Sequence, residues 1–548
     1  MSIKLRGFYG GMQLEGHKTE SLTRPLQQAS LPDFLILPLK QHIGEANRSL
    51  VERGERVLRG QLIADSSSSI SAPIHAPSSG IVRNIEKRPI PHPSGHSDTC
   101  IVIDLDGKDE SIQQQVVYLD SLTASESIEL IRRAGVVGLG GAVFPTSEKL
   151  LRASENGIDT LIINGAECEP YITCDDVLMQ TYSDEIIRGT GYLQRIFDPV
   201  RTLIAIEDDK PEAIDAIGQA LETQTLTQTE LVIIPTFYPS GGEKQLVQNL
   251  TGKEVPQGQL AFDIGLLCLN VATCVAITRA FEQGESLVSR IVTVSGNGIA
   301  QPGNWETRIG TPVDHLISLA GGYRVDQQDS QHLVMGGPMM GFSLSSDCVP
   351  IVKASNNILV MQQPTIPMTP GYHDECIRCG NCAEVCPAQL LPQQLYWQAR
   401  AKDYHRSEEY KLFECIECGC CSAVCPSQIP LVQYYRAAKS EIQASKQALI
   451  KSDQSRVRFE FREKRLLLKK QTDEERRRLK REALQKNRLQ NKAADSTVDP
   501  VQAALARVRA KKQARGSSPK NTTELSAIQQ QQIEEADERR RAARIERR

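Results

Sequence analysis

The sequence predicts a multidomain chain of mixed α/β and α+β class, and three observations predict it. The chain has 548 residues, 40% of them hydrophobic, enough to bury several cores rather than one. Apolar runs alternate with helix-spaced stretches from about 120 to 285, as in layered α/β domains. Two four-cysteine runs, "CIRCGNCAEVCP" from Cys376 and "CIECGCCSAVCP" from Cys415, stand close together further on.

The N-terminus "MSIKLRGFYGGMQLEGHK" has no apolar stretch before a small-residue cleavage site, so neither secretion nor a signal anchor is expected. The most hydrophobic segment, residues 264–277, is short for a bilayer span and contains Asn270; a buried helix is expected there. Between these, "VERGERVLRGQLIA" (51–64) and "APIHAPSSGIV" (72–82) resemble the two halves of a biotinyl- or lipoyl-type barrel-sandwich domain. Gly54, Gly60 and Gly80 would sit at tight turns between short Val/Ile strands. True carriers of that type present a lysine on the hairpin between the halves. This chain has "DSSSSIS" there and no lysine from Gln61 to Ala76, so a structural or docking role is expected.

Residues 160–164, 202–207 and 230–235 read as buried strands, while 124–134 and 211–222 have helical spacing. That alternation predicts a largely parallel sheet. Residues 290–345 open with the strand-like "RIVTVSG", close with "VMGGPMMG", and read as a compact β-grasp-like unit.

Nine of the fifteen cysteines lie between Cys376 and Cys425, and the other six (Cys100, Cys168, Cys174, Cys268, Cys274, Cys348) have no framework spacing. Metal-binding thiolates in a reducing, cytoplasmic compartment are expected rather than disulfides. Cys376, Cys379, Cys382 and Cys386 follow C-x2-C-x2-C-x3-C-P, as do Cys415, Cys418, Cys421 and Cys425. This is the bacterial two-cluster ferredoxin signature, in which the fourth cysteine of each run ligates the other cluster. One [4Fe–4S] cluster is then expected on Cys376, Cys379, Cys382 and Cys425, the other on Cys386, Cys415, Cys418 and Cys421. Pro387 and Pro426 end the loops, and Cys420, out of register, is expected as a packed or semi-exposed thiol. Structural zinc needs only four ligands and would leave thiolates over. Such clusters pass single electrons, so a two-electron donor needs a converter upstream.

Upstream, "GVVGLGGAVFPTSEK" (135–149) is glycine-rich, and consecutive glycines let backbone N–H groups approach a phosphate, with Lys149 as a countercharge. "GLGGAVFPTSEK", "NGAECEP" (164–170), "YPSGGEKQLVQNLTG" (238–252) and "NVAT" (270–273) occur in the order found in the flavin subunit of respiratory complex I, which the region 130–345 resembles. With the barrel-sandwich unit, "GGPMMG" (336–341) and the cysteine block, residues 1–440 resemble the RnfC/RsxC family of the Rnf/Rsx ion-translocating ferredoxin:NAD oxidoreductases. The resemblance implies that Gly138, Gly140, Gly141 and Lys149 cradle the phosphate and ribityl chain of FMN. It places Asn164 and Glu167 beside the isoalloxazine and nicotinamide sites, Tyr238, Gly241 and Glu243 on a second loop, and Asn270 with Thr273 at a helix start near the phosphate. It departs from the complex I pattern at Ala166, Cys168 and Gly242, which puts NAD(H) selectivity in question more than flavin binding; Glu167 and Glu169 also read as helix-cap or surface carboxylates. No catalytic acid–base residue is implied, because the cofactor carries the chemistry.

The domains expected are a barrel-sandwich at 1–118, an FMN/NADH-binding α/β domain at 119–285, a β-grasp-like domain at 286–350, a two-cluster ferredoxin-type domain at 366–437 and a charged helical or disordered tail at 440–548. Between Lys451 and Lys492 the tail has sixteen Lys/Arg against seven Asp/Glu. A solvated helix or disordered segment is expected, with attraction to anionic headgroups or an acidic partner as the functional alternative; no nucleic acid is expected. The function implied is that of a peripheral subunit on the cytoplasmic side of a bacterial inner membrane. It would exchange electrons between NAD(H) and ferredoxin or a similar carrier through FMN and two [4Fe–4S] clusters, with other subunits of the complex translocating ions. The alternatives are a soluble flavin/iron–sulfur NADH dehydrogenase with a diffusible acceptor, and a noncatalytic docking scaffold with structural clusters.

Overall fold

The computed structural model describes residues 4–68, 70–113, 122–224, 226–324, 332–362, 374–493 and 499–514. The expected boundary at 118–119, the start of the cysteine domain at 366 and the end of the tail lie outside them. The chain divides into two compact units, residues 1–445 and 446–548.

The first unit begins with an antiparallel sandwich. One sheet runs in the order Phe34–Pro38, Ser97–Leu105, Gly80–Pro89, Arg56–Val57, and the other in the order Arg48–Ser49, Leu62–Asp65, Ile74–His75. Its core is Leu37, Val57, Ile63, Ile74, Val82, Ile101 and Ile103. Gly80 opens a strand rather than making a turn, and a Cβ there would fall on the Asp104 carbonyl oxygen.

The α/β domain has four strands, all parallel, in the order Thr229–Ile234, Arg201–Glu207, Thr160–Gly165, Leu266–Asn270. Successive residues point to opposite faces of a strand, and both faces are buried. Leu161 and Ile163 join one core with Ile204, Ile206, Leu267 and Leu269. Ile162 joins the other with Leu203, Ala205, Val232 and Ile234. The helix Ala124–Arg133 starts on a capping box of Thr123 with Glu126. Residues 264–277 correct the expectation of one buried helix: they form the strand Leu266–Asn270 and then enter the helix Val271–Glu282. An unbroken apolar run does not reveal its period, and the pairing of Leu266–Asn270 with Thr160–Gly165 settles it.

A six-stranded mixed sheet follows, ordered Gln27–Gln28, Gly303–Arg308, Ser289–Ser295, Asn357–Met361, His332–Met335, Phe342–Ser343. It draws one central strand from beyond residue 350 and an edge from the N-terminal segment, and the helix Val313–Leu319 packs on a core containing Val292, Trp305, Leu316 and Ile358. Each cysteine run then contains a short helix, Asn381–Glu384 or Cys420–Ala423, beside a core of Leu390, Leu395, Tyr396, Leu412, Val432 and Tyr435.

The helix Leu431–Ala493 begins in this domain. The second unit comprises, among the described residues, the remainder of that helix and Pro500–Ala514, with Phe459, Phe461 and Leu466 to Leu468 all exposed. No helix among the described residues is long and apolar enough to cross a membrane.

Candidate functional site

In the parallel sheet the chain steps from Thr160–Gly165 to one side and later to the other, so the strand order reverses between Thr160–Gly165 and Leu266–Asn270. Ligands of open α/β sheets bind outside the carboxyl ends of the strands at such a point. Asn164 and Asn270 are register partners there. The ends of three of the strands and the segments that follow them carry Asn164 and Glu167, Tyr238 to Glu243, and Asn270 with Thr273, so one sheet edge gathers most of the residues singled out from the sequence.

The glycine-rich loop packs against this edge. Leu139 N donates to Thr273 Oγ1 at 3.1 Å, and a Cβ on Gly140 would lie 3.2 Å from Asn270 Cβ, so the backbone there comes close to the helix start. Gly140, Gly141 and Ala142 are exposed, and among the described residues their N–H groups have no hydrogen-bond partner. Gly138 is different: its N–H donates to Phe144 O at 2.8 Å and closes the loop. Asn270 caps the helix Val271–Glu282 by accepting from Ala272 N at 2.9 Å, and its Nδ2 donates to Asp175 at 2.6 Å. The buried Thr146 hydroxyl beside the loop has no partner among the described residues.

Lys149 donates to Glu243 Oε2 at 2.8 Å and to Cys268 O at 2.7 Å, so the expected countercharge is already paired with another residue of the set. Asn164 joins two loops: its Nδ2 donates to Gly241 O at 2.9 Å while its Oδ1 accepts from Ala166 N at 3.0 Å. A Cβ on Gly241 would lie 2.8 Å from Ala166 O.

Glu167 is buried, and its carboxylate accepts from Asp175 N at 2.9 Å, Asp176 N at 3.2 Å and Cys174 Sγ at 3.2 Å, at the first turn of the helix Cys174–Thr181. Burial raises its carboxyl above the usual range, with the neighbouring Asp175 charge adding to the effect. Its own N–H donates to Glu207 Oε2 at 3.0 Å, and Lys18 Nζ donates to its carbonyl. Glu169, half-buried, accepts from Met339 N at 2.7 Å and Met340 N at 3.0 Å, in the "GGPMMG" loop. Both carboxylates therefore satisfy backbone donors.

Residues that the sequence did not point to complete the edge. Glu207 ends its strand fully buried, paired with Lys210 at 2.6 Å and accepting from Ser240 Oγ at 2.9 Å. It thereby holds the segments carrying Glu167, Lys210 and Ser240. Its only local signal was a charge closing an apolar run, "TLIAIE". Tyr238 reaches the cysteine domain: its hydroxyl donates to the Cys418 carbonyl at 2.6 Å, and its buried side chain packs with Cys420, which is fully buried. Lys244 pairs with Glu414 at 2.7 Å, and Gly11 N donates to Val385 O at 2.9 Å, further joining the α/β and N-terminal segments to the cysteine domain.

The cysteine domain has two cavities. One is lined by Cys376, Cys379, Cys382 and Cys425 with Tyr396 and Ile429. The other is lined by Cys386, Cys415, Cys418 and Cys421 with Leu390 and Tyr435. Each cavity takes three cysteines from one run and one from the other, and none of the eight is in a disulfide. Four thiols around an apolar pocket suit an iron–sulfur cluster.

A parallel sheet with an open carboxyl edge, joined through Tyr238 to a domain with two four-thiol cavities, fits an electron-transfer protein of the flavin and iron–sulfur class. Comparison with protein families agrees domain by domain. Models of the RnfC barrel sandwich hybrid domain, the Nuo51 FMN-binding domain, the SLBB domain and the 4Fe-4S dicluster domain match residues 6–108, 131–279, 291–343 and 375–429. The chain belongs to the RnfC family of ion-translocating oxidoreductase complex subunits. A member from Serratia proteamaculans is 45% identical over 97% of this chain and 74% of its own length. Members from Pectobacterium carotovorum and Vibrio cholerae are each 46% identical, over 95% and 93% of this chain but 66% and 65% of theirs. Among solved structures, the NAD+-reducing [NiFe]-hydrogenase in the H2-reduced state is 18% identical over 57% of this chain and 65% of that chain, with a TM-score of 0.40, too distant to bear on function.

Proposed function

We propose that this chain is the peripheral subunit, on the cytoplasmic side of the membrane, that exchanges electrons between NAD(H) and ferredoxin or a similar one-electron carrier within an ion-translocating complex. The observation that carries this reading is the pairing of thiols: each cavity has the four cysteines that cross-ligation of two [4Fe–4S] clusters requires. Cys376, Cys379, Cys382 and Cys425 would hold one cluster, and Cys386, Cys415, Cys418 and Cys421 the other.

For FMN the fitting features are the unpartnered N–H groups of Gly140 to Ala142, the close approach of Gly140 to Asn270 and the orphaned Thr146 hydroxyl. When bound, a flavin converts between a hydride and single electrons, which iron–sulfur clusters carry onward. The residues of this chain would bind and orient. Gly138 and Gly141 shape the loop, Asn270 and Thr273 brace it, and Asn164 with Gly241 fixes two neighbouring loops. Lys149 and Glu243 present a polar pair to the crevice, and Glu167 anchors the segment against which NAD(H) would lie. Tyr238 serves as a strut to the cysteine domain.

The test is anaerobic EPR of the full chain with iron and flavin analysis. About eight irons per chain, bound FMN, and signals of two interacting clusters on addition of NADH are expected. Iron near zero after anaerobic reconstitution, or clusters that NADH leaves unreduced in the assembled complex, would reject the reading.

A further inference from the structure

We propose that Arg290, carried by the β-grasp-like domain, is a positioning residue for the glycine loop of the α/β domain: it holds the Leu139–Gly140 peptide so that the Gly140 N–H faces outward to receive a phosphate. This rests on the reading that the loop binds the phosphate of FMN.

Arg290 is 5% exposed on the strand Ser289–Ser295 and makes no ion pair among the described residues. A buried guanidinium needs its donors satisfied. Arg290 Nη1 donates to Lys353 O at 2.5 Å, and Nη2 donates to Leu139 O at 3.3 Å. The acid whose field reaches it, Asp175, is hydrogen-bonded to Asn270. So one of these two bonds goes to the segment just before Asn357–Met361, a strand of the same sheet, and the other crosses to the glycine loop.

Leu139 is then held from both sides, its N–H by Thr273 Oγ1 and its carbonyl by Arg290. In a planar trans peptide the C=O and the following N–H point in opposite directions. With the Leu139 carbonyl fixed inward on a buried cation, the Gly140 N–H must point outward, where Gly140 is exposed and its N–H has no partner. Rotating that peptide would offer a carbonyl oxygen to an anion instead. Lys353, which accepts the other Arg290 bond, reinforces the arrangement: its Nζ donates to Gly135 O at 2.7 Å and Pro73 O at 2.8 Å, tying the base of the loop to the barrel-sandwich domain. Because Lys149 is paired with Glu243, oriented N–H groups carry much of the phosphate recognition.

The experiment measures Kd for FMN and for riboflavin, which lacks the phosphate, with the full-length chain and its Arg290→Met and Arg290→Lys variants. Iron content and thermal melting serve as folding controls. Losing a charge-assisted contact that sets one phosphate donor is expected to weaken FMN about tenfold to a hundredfold in Arg290→Met. Riboflavin affinity should stay unchanged, and Arg290→Lys should recover part of the loss. Unchanged FMN affinity, or parallel weakening of both flavins, overturns the inference; failure of the wild-type chain to bind either flavin overturns the underlying reading. Should neither variant fold, amide exchange of the wild-type chain decides. The Gly140 amide should exchange rapidly without FMN and be protected by FMN but not by riboflavin, and slow exchange without any flavin would overturn the inference.

Discussion

Gly337→Ala tests whether the loop at residues 336–341 is a fitted part of the junction between the α/β and cysteine domains. A Cβ at Gly337 would lie 2.6 Å from Glu169 Cδ and nearer still to its Cγ and Oε1, so the carboxylate must move. Moving it breaks the bonds from Met339 N and Met340 N. Hydrogen bonds to a charged group contribute about 1.5–3 kcal/mol each, so the substitution should cost about 3–6 kcal/mol of local stability. Gly337 has no left-handed φ, so the methyl group itself and not backbone strain is the perturbation. The effect should reach the cysteines, because Met339 O lies 2.6 Å from the Cβ position of Gly419 and Arg436 Nη2 donates to Met340 O at 2.8 Å. Urea-dependent proteolysis at the loop, together with the rate of iron release to a chelator, reads both. In a Glu169→Ala background the added methyl meets no carboxylate, and the double-mutant cycle should recover most of the cost. A Gly337→Ala variant within about 1 kcal/mol of wild type, or the same cost in both backgrounds, would refute the reasoning.

Three other outcomes are expected. Cys425→Ala should abolish the cluster of Cys376, Cys379 and Cys382 while sparing that of Cys415, Cys418 and Cys421, and Cys386→Ala should do the reverse; EPR of the two variants checks this. Tyr238→Phe removes the donor to the buried Cys418 carbonyl and should destabilise the junction by about 1–3 kcal/mol, visible as faster iron release with the first-run cluster unaltered. Lys353, fully buried without an ion pair among the described residues, is pushed down to about 7 by burial. Its unfolded form keeps the proton to near 10.4 and so binds more protons across that window. Wild-type stability should therefore rise relative to Lys353→Met by about 1.4 kcal/mol per pH unit from pH ~7 to ~10, and a flat difference in denaturation curves would contradict it.

Much of the fold could be read locally. The parallel strands follow from apolar runs of "TLIIN" type, and the barrel halves from the resemblance of residues 51–64 and 72–82 to biotinyl- or lipoyl-type domains. The cysteine spacing led to the same two groups of four that line the two cavities. Residues 264–277 misled because an all-apolar run has no readable period until a neighbouring strand claims part of it. The resemblance puts Tyr238 on the second loop of the flavin site, and the structure adds that its hydroxyl finds a carbonyl 180 positions away. The pairing of Lys149 with Glu243 was equally hidden, since nothing near either residue indicates the other.

What the sequence alone determined, then, is what local chemistry encodes: apolar strand runs, helical spacing and thiolate spacing within a single loop. What tertiary structure decided is which distant groups meet, as with Arg290 on the Leu139 carbonyl, Lys353 on Gly135, and Glu169 beneath Gly337. The division has a physical cause. Local patterns are fixed by backbone geometry over a few residues, whereas a buried charge takes whatever carbonyl or N–H the packed domains bring to it, because leaving it unpaired costs more than any local preference can repay.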